Sequence, residues 1–161
     1  MKKLPIGIQT FQRMRTEGYL YVDKTRYIAE LSEEGIYYFL SRPRRFGKSL
    51  FLDTIACAFS GARELFAGLF LDSSESSWDW ERKSSVLKID FSGSRVTSLS
   101  ELYARLNTII DGWETQHNLR HTQGFPGERL LTLIPELSVK TNEKVVFLVD
   151  EYDKQIGRAH V

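Results

Sequence analysis

Ile36-Tyr37-Tyr38-Phe39-Leu40-Ser41-Arg42-Pro43-Arg44-Arg45-Phe46-Gly47-Lys48-Ser49 runs from an apolar, aromatic stretch through a basic loop into Gly-Lys-Ser. The helical pattern Leu52, Ile55, Ala56, Phe59 follows it. A strand, a loop ending Gly-Lys-Ser and a helix is the context in which a chain cradles phosphate. Backbone N–H groups of the loop and the helix N-terminus point at anionic oxygens. Gly47 lets the backbone approach closely, Lys48 brings an ammonium to the β- and γ-phosphates, and Ser49 offers a hydroxyl to the bridging Mg²⁺. The string departs from the usual G-x-x-x-x-G-K-[ST] pattern at Arg42, which stands at the first glycine. Pro43 fixes its own φ and restricts Arg42, so the loop entry cannot take glycine torsions. Arg44 and Arg45 add positive charge beside the expected phosphates.

The second half of such a site lies far downstream. Val145-Val146-Phe147-Leu148-Val149 is an apolar strand running into Asp150-Glu151. An aspartate at the strand tip can hold Mg²⁺ through its water shell, and a neighbouring glutamate can polarise the attacking water. Asp150 is therefore the expected metal residue with Ser49, and Glu151 the expected catalytic base.

Between and around these motifs the pattern alternates. After a short extended start, Asp23 is expected to cap a helix to about Ser32, stopped by Gly35. A second short helix is expected over Ala62–Leu69, and a serine-rich loop carrying Trp78 and Trp80 at Asp72–Ser85. Val86–Phe91 reads as a strand. Ser98 and Glu101 form the capping box of a longer helix with Leu99, Leu102, Leu106, Ile109, Ile110 and Trp113 on one stripe. Gly124–Gly127 reads as a turn, and Glu128–Leu137 as a helix ended or kinked by Pro135. Nearly continuous apolar strands alternating with helices predict an α/β fold with a mainly parallel sheet covered on both faces.

Composition narrows the class. The chain has 161 residues, with 42% hydrophobic and 27% charged, and a formal net charge of +1. That balance argues against a whole-molecule field for nucleic acid or anionic membranes. A single cysteine, Cys57, excludes an internal disulfide and reads as a small core residue. The basic start Met1–Pro5 is followed by no apolar signal segment, and the apolar runs are far shorter than a membrane span. The expected setting is cytoplasmic.

At these residues the chain resembles the AAA-ATPase-like domain proteins. The resemblance rests on LPIGIQTF (Leu4–Phe11), YVDKT (Tyr21–Thr25), YYFLSRPRRFGKSL (Tyr37–Leu50), ELFAGLFL (Glu64–Leu71) and VFLVDEYDK (Val146–Lys154). Arginine at position 42 is typical of that family. The resemblance implies a three-layer, AAA-like P-loop NTPase fold and ATP with Mg²⁺ as cofactors. The nucleotide site would be Arg42, Pro43, Arg44, Arg45, Phe46, Gly47, Lys48, Ser49 and Leu50. It maps the family's Asp-Glu-Tyr-Asp onto Asp150, Glu151, Tyr152 and Asp153. Asp23 and Lys24 also match the family pattern, and a helix cap is an equally good account of them. It further implies ATP hydrolysis by a longer parent, which could be a homo-oligomer. Nucleic acid enters only by analogy with the nuclease-like domain that many members carry downstream.

Residues 1–155 are expected to be the N-terminal part of such a domain, its sheet incomplete at the C-terminus. The strand that would insert between the Tyr37–Leu40 and Val145–Val149 strands, the sensor residue, an arginine finger and the helical lid are not among its residues. The ending Ile156-Gly157-Arg158-Ala159-His160-Val161 is what the string ATCGGAAGAGCACACGTC would encode, and that string is similar to a common sequencing adapter. Residues 156–161 are accordingly expected to be a non-native tail, with no role for Arg158 or His160. The chain is expected to carry phosphate-binding residues without hydrolysing ATP alone. The competing reading is a nucleotide-sensing switch with little turnover. A nucleic-acid patch at Arg42–Arg45 is a smaller alternative, since no aromatic platform stands beside it.

Overall fold

A computed structural model describes residues 3–41, 43, 46–93 and 96–151. The chain divides into two compact units, Met1–Lys83 and Ser84–Val161. No helix among the described residues is long and apolar enough to cross a membrane.

The first unit holds α1 (Phe11–Thr16), α2 (Arg26–Glu34), α3 (Lys48–Phe59) and two 3-10 turns, Arg63–Phe66 and Phe70–Asp72. Helix α1 replaces the expected extended start. So short a helix is unstable alone, and tertiary anchors hold it. Phe11 and Met14 are fully buried, and the Phe11 ring packs on Phe66 at 4.8 Å. The Phe11 N–H donates to Asp53 Oδ2 on α3 at 2.7 Å. Arg15 donates to the carbonyls of Leu65 and Ala67, both at 2.7 Å.

Helix α2 begins at Arg26, not at Asp23, and Thr25 in its N-cap position gives no side-chain cap. Asp23 instead accepts from the Thr25 N–H at 2.8 Å and the Phe70 N–H at 2.7 Å. The Thr25 hydroxyl accepts from the Leu71 N–H at 3.0 Å. Both side chains are spent tying the loop before α2 to the second 3-10 turn. The expected Ala62–Leu69 helix is broken into two turns around Gly68, whose φ of +76° no helix accommodates. Trp78 and Trp80 do lie in a loop, but docked, edge-on to Phe59 at 5.0 Å and against Phe66 at 5.1 Å.

The expected strand at Ile36–Leu40 does not form. Among the described residues strand pairing is confined to the two strands of the second unit and an isolated Lys3–Tyr19 bridge. A strand exists only where a neighbour takes its backbone N–H and C=O groups, and this segment joins no ladder. Tyr37 is 93% exposed.

The second unit runs β1 (Ser84–Asp90), α4 (Leu99–Gln116), α5 (Pro126–Thr141) and β2 (Lys144–Asp150). The strands pair in parallel, with Ser84 opposite Lys144 and Asp90 opposite Asp150. Leu87, Ile89, Phe91, Ile110, Trp113, Leu119, Leu133 and Leu137 form its buried core, with Leu102, Leu106, Ile109 and Val145 packed against it. The predicted stripe of α4 therefore points inward, except for exposed Leu99. The mixed helix-and-strand architecture with a parallel sheet is α/β in kind, and the described sheet has two strands where three were expected.

Helix α4 opens on the predicted box. The Ser98 hydroxyl accepts from the Glu101 N–H at 3.2 Å. The Glu101 carboxylate takes the N–H and hydroxyl of Thr97 at 2.7 and 2.8 Å, one residue earlier than the usual partner. Helix α5 extends past both expected ends. Pro126 starts it, where a missing N–H costs nothing, and Pro135 sits inside it. The carbonyl that Pro135 leaves without a helical donor belongs to Leu131, which is 78% exposed, so solvent can serve it.

Arg129 of α5 fastens the two helices. Its guanidinium donates to Asp111 Oδ1 at 2.6 Å, Glu114 Oε2 at 2.8 Å and Asn107 Oδ1 at 3.0 Å. Glu114 also accepts from the Thr122 N–H and hydroxyl. The Arg129 and Glu114 side chains are 4% and 1% exposed.

Removing one partner of such a buried pair strands the other charge. Arg129→Ala is expected to lower unfolding free energy by about 3 to 5 kcal/mol in a denaturant titration, with Arg129→Lys intermediate. A wild-type midpoint for Arg129→Ala would discard the role given to this network. Asp23→Ala should cost about 1 to 3 kcal/mol, and Asp23→Asn less, because one carboxylate-type acceptor survives; equal melting of both variants contradicts the two-bond role. The Thr97 hydrogen bonds hold the Glu101 carboxyl below its ordinary value of 4.5. A lowered folded value stabilises above the ordinary value and loses that stabilisation as pH falls through the folded one. Wild type should thus outlast Glu101→Gln near neutral pH and converge with it in acid; a constant gap across that range excludes the linkage.

Candidate functional site

The expected phosphate site falls at the start of α3. Gly47 occupies the N-cap position with φ +74° and ψ +29°, the left-handed region that L side chains avoid. Nothing lies within 4 Å of where its Cβ would be, so the demand for glycine there is conformational rather than steric. The Gly47 carbonyl accepts the Phe51 N–H at 2.9 Å and closes the first turn of the helix. Geometry leaves the N–H groups of Lys48, Ser49 and Leu50 without intrahelical acceptors. No side chain caps them and no acidic residue stands in the first turn. Three outward N–H groups and the positive end of the helix dipole make this terminus suited to an anion. Lys48, Ser49 and Leu50 are half-buried, and Pro43, Phe46 and Gly47 are exposed. Arg42, Arg44 and Arg45 lie outside the described residues.

The position of α3 comes from residues beyond its first turn. Asp53 takes the N–H of Phe11 on α1. Thr54, fully buried, donates its hydroxyl to the Leu50 carbonyl at 2.8 Å. These contacts were not legible as site residues, because an aspartate and a threonine within a helical pattern announce nothing about their partners.

The second unit carries the carboxylates. Asp150 ends β2 with 6% exposure, and Glu151 follows in left-handed backbone at φ +58°. A non-glycine residue held there marks a strained strand exit. Tyr152 and Asp153, like residues 156–161, lie outside the described residues. Asp90 stands in register beside Asp150 at the tip of β1. Its carboxylate accepts from the Ser92 N–H at 2.7 Å, and its carbonyl accepts from Arg105 at 2.7 Å. Partial burial pushes the Asp90 carboxyl up, but Ser92, Lys88 and Arg105 together hold it below its ordinary value. The apolar run Val86–Phe91 marks a strand but carries no sign of what its tip meets. Only the strand register brings Asp90 forward.

Two other features are distinct from these. Asp111, Glu114 and His121 bring ligand-type atoms within 4.8 Å of one another. Arg129 already supplies the cation there, at 2.6 and 2.8 Å from the two carboxylates. A cavity of about 320 Å³ in the first unit is lined by Arg63, Asp72, Trp78, Asp79, Trp80 and Glu81 among others, none of them an expected site residue.

A family model described as "Predicted AAA-ATPase" matches residues 5–160. An "Uncharacterized protein in vnfD 5'region" of Azotobacter chroococcum mcd 1 is 46% identical over 156 residues, covering 96% of this chain. The chain spans 30% of that relative's length. No solved structure matches. With a family model matching residues 5–160, the chain belongs to the predicted AAA-ATPase family.

Proposed function

We propose that this chain binds ATP with Mg²⁺ through Arg42–Leu50 and Asp150, and that its full-length protein hydrolyses it with Glu151 as general base. The observation that carries the reading is the uncapped N-terminus of α3 behind a left-handed Gly47, with Lys48 and Ser49 in its first turn. The three free N–H groups bind phosphate oxygens, and Lys48 neutralises charge on the β- and γ-phosphates. Arg42, Arg44 and Arg45 add to the positive field at the loop. Ser49 and Asp150 offer hydroxyl and carboxylate oxygens, the hard donors that Mg²⁺ accepts. Mg²⁺ held by these residues would supply neutralising charge to the phosphates. Glu151, next to Asp150 on the strand exit, orients a water and takes its proton.

Equilibrium binding of ATP should be weakened about ten- to a hundredfold by Lys48→Ala, the loss of one charge-assisted contact. Binding by Lys48→Ala as tight as wild type overturns the phosphate site. In the full-length protein, Glu151→Gln should keep ATP affinity and lose steady-state phosphate release. Release that is equally slow in wild type and Glu151→Gln overturns the base role and leaves a nucleotide-sensing module.

A further inference from the structure

The loop after the second 3-10 turn borders the cavity of about 320 Å³ that the nucleotide reading leaves unused. That volume lies at the lower end of the range for small-ligand clefts. Trp78 and Trp80 stand in its wall, with Arg63, Asp72, Asp79 and Glu81 around them. The two indoles lie 6.0 Å apart, inclined at 66°, and form a corner. Phe59 backs Trp78 at 5.0 Å and Phe66 backs Trp80 at 5.1 Å, so packing within the fold holds the corner.

The charges around this corner do not balance. The Arg63 guanidinium is spent on Asp72, Nε to Oδ1 at 2.8 Å. Asp79 and Glu81 enter no ion pair among the described residues. Asp79 Oδ1 accepts the Glu81 N–H at 3.0 Å, which fixes the turn on which both carboxylates stand. Three carboxylates against one guanidinium leave the cavity negative. Indole faces are negative as well, so rings and carboxylates favour the same kind of guest, a cation. One polar atom of the wall is also unsatisfied. The Trp78 indole N–H is buried and has no acceptor among the described residues. An orphaned buried donor costs free energy, which an oxygen brought by a ligand would recover.

We propose that this cavity is a binding site for a small organic ammonium ion with an oxygen near its charged nitrogen. The cationic head sits in the corner of Trp78 and Trp80 beside Asp79 and Glu81, and the oxygen accepts from the Trp78 N–H. A head that carries a phosphate next to the ammonium is repelled by the same carboxylates. None of the lining residues belongs to Arg42–Leu50, so the site does not depend on the nucleotide reading.

The test is calorimetric titration with choline, which carries a quaternary ammonium and a hydroxyl. Wild type and Lys48→Ala should both bind it saturably. Dimethylbutanol, its uncharged carbon isostere, should give no saturable heat, and tetramethylammonium should bind several-fold more weakly than choline. Glu81→Gln should weaken choline about two- to fivefold. Trp80→Leu should weaken it about three- to thirtyfold. Should Trp80→Leu fail to fold, Glu81→Gln combined with Asp79→Asn carries the comparison. Absence of choline binding, or equal binding of the uncharged isostere, overturns the proposal. Wild-type choline affinity in the folded variants overturns the placement of the site. Tetramethylammonium as tight as choline overturns the part given to the Trp78 N–H. Co-sedimentation with phosphatidylcholine vesicles overturns the small-molecule assignment in favour of a lipid head.

Discussion

Parallel strands cannot be joined by a tight turn. Once β1 and β2 lie side by side pointing the same way, the chain must return along the sheet before it can enter β2. Helices α4 and α5 make that return, and they are kept by burying Ile110, Trp113, Leu133 and Leu137 against Leu87 and Ile89. Arg129 fixes the two helices to each other through the buried carboxylate of Glu114 and the exposed one of Asp111. The pairing of Asp90 with Asp150 is a consequence of that register. A slip by one residue would send one carboxylate to the opposite face of the sheet.

The first unit is organised differently: its described residues form no sheet, and side chains satisfy many of their backbone groups. Asp23, Thr25 and Asp53 accept main-chain N–H groups, and Arg15 donates to main-chain carbonyls. These bonds are why short elements such as α1 and the 3-10 turns persist. They also bear on the phosphate site: α3 is fastened at Asp53 and Thr54, one to two turns beyond its start. Its leading N–H groups are aimed by contacts away from any ligand. The YVDKT string that helps mark the family thus has a structural explanation in this fold.

Periodicity was a good guide where a segment's partners lie close in sequence, and a poor one elsewhere. The Ser98–Glu101 cap, the apolar stripe of α4 and the Val145–Val149 strand follow from local pattern alone. Gly47 at the head of α3 was legible for the same reason, since its backbone demand is local. Ile36–Leu40 has strand composition, but a strand needs a ladder, which composition cannot supply. Pro135 was expected to end or kink α5, and the helix runs through it to Thr141, at a point where Leu131, whose carbonyl loses its donor, is exposed. The pairing of Asp90 with Asp150 was not legible because it depends on strand register.

The tryptophans described above are divided between the units. Trp78 and Trp80 lie 6.0 Å apart in the first, against Phe59 and Phe66. Trp113 is buried in the second, edge-on to Phe147 at 6.0 Å. Trp78, Trp80 and Trp113 are all 3 tryptophans of the chain. The molecule therefore has an intrinsic optical reporter in each half. Replacing Trp113 with phenylalanine leaves tryptophan emission only from the unit that carries Gly47–Leu50. The loosening of that unit can then be followed by colour, without a label, separately from the unit that carries Asp90 and Asp150.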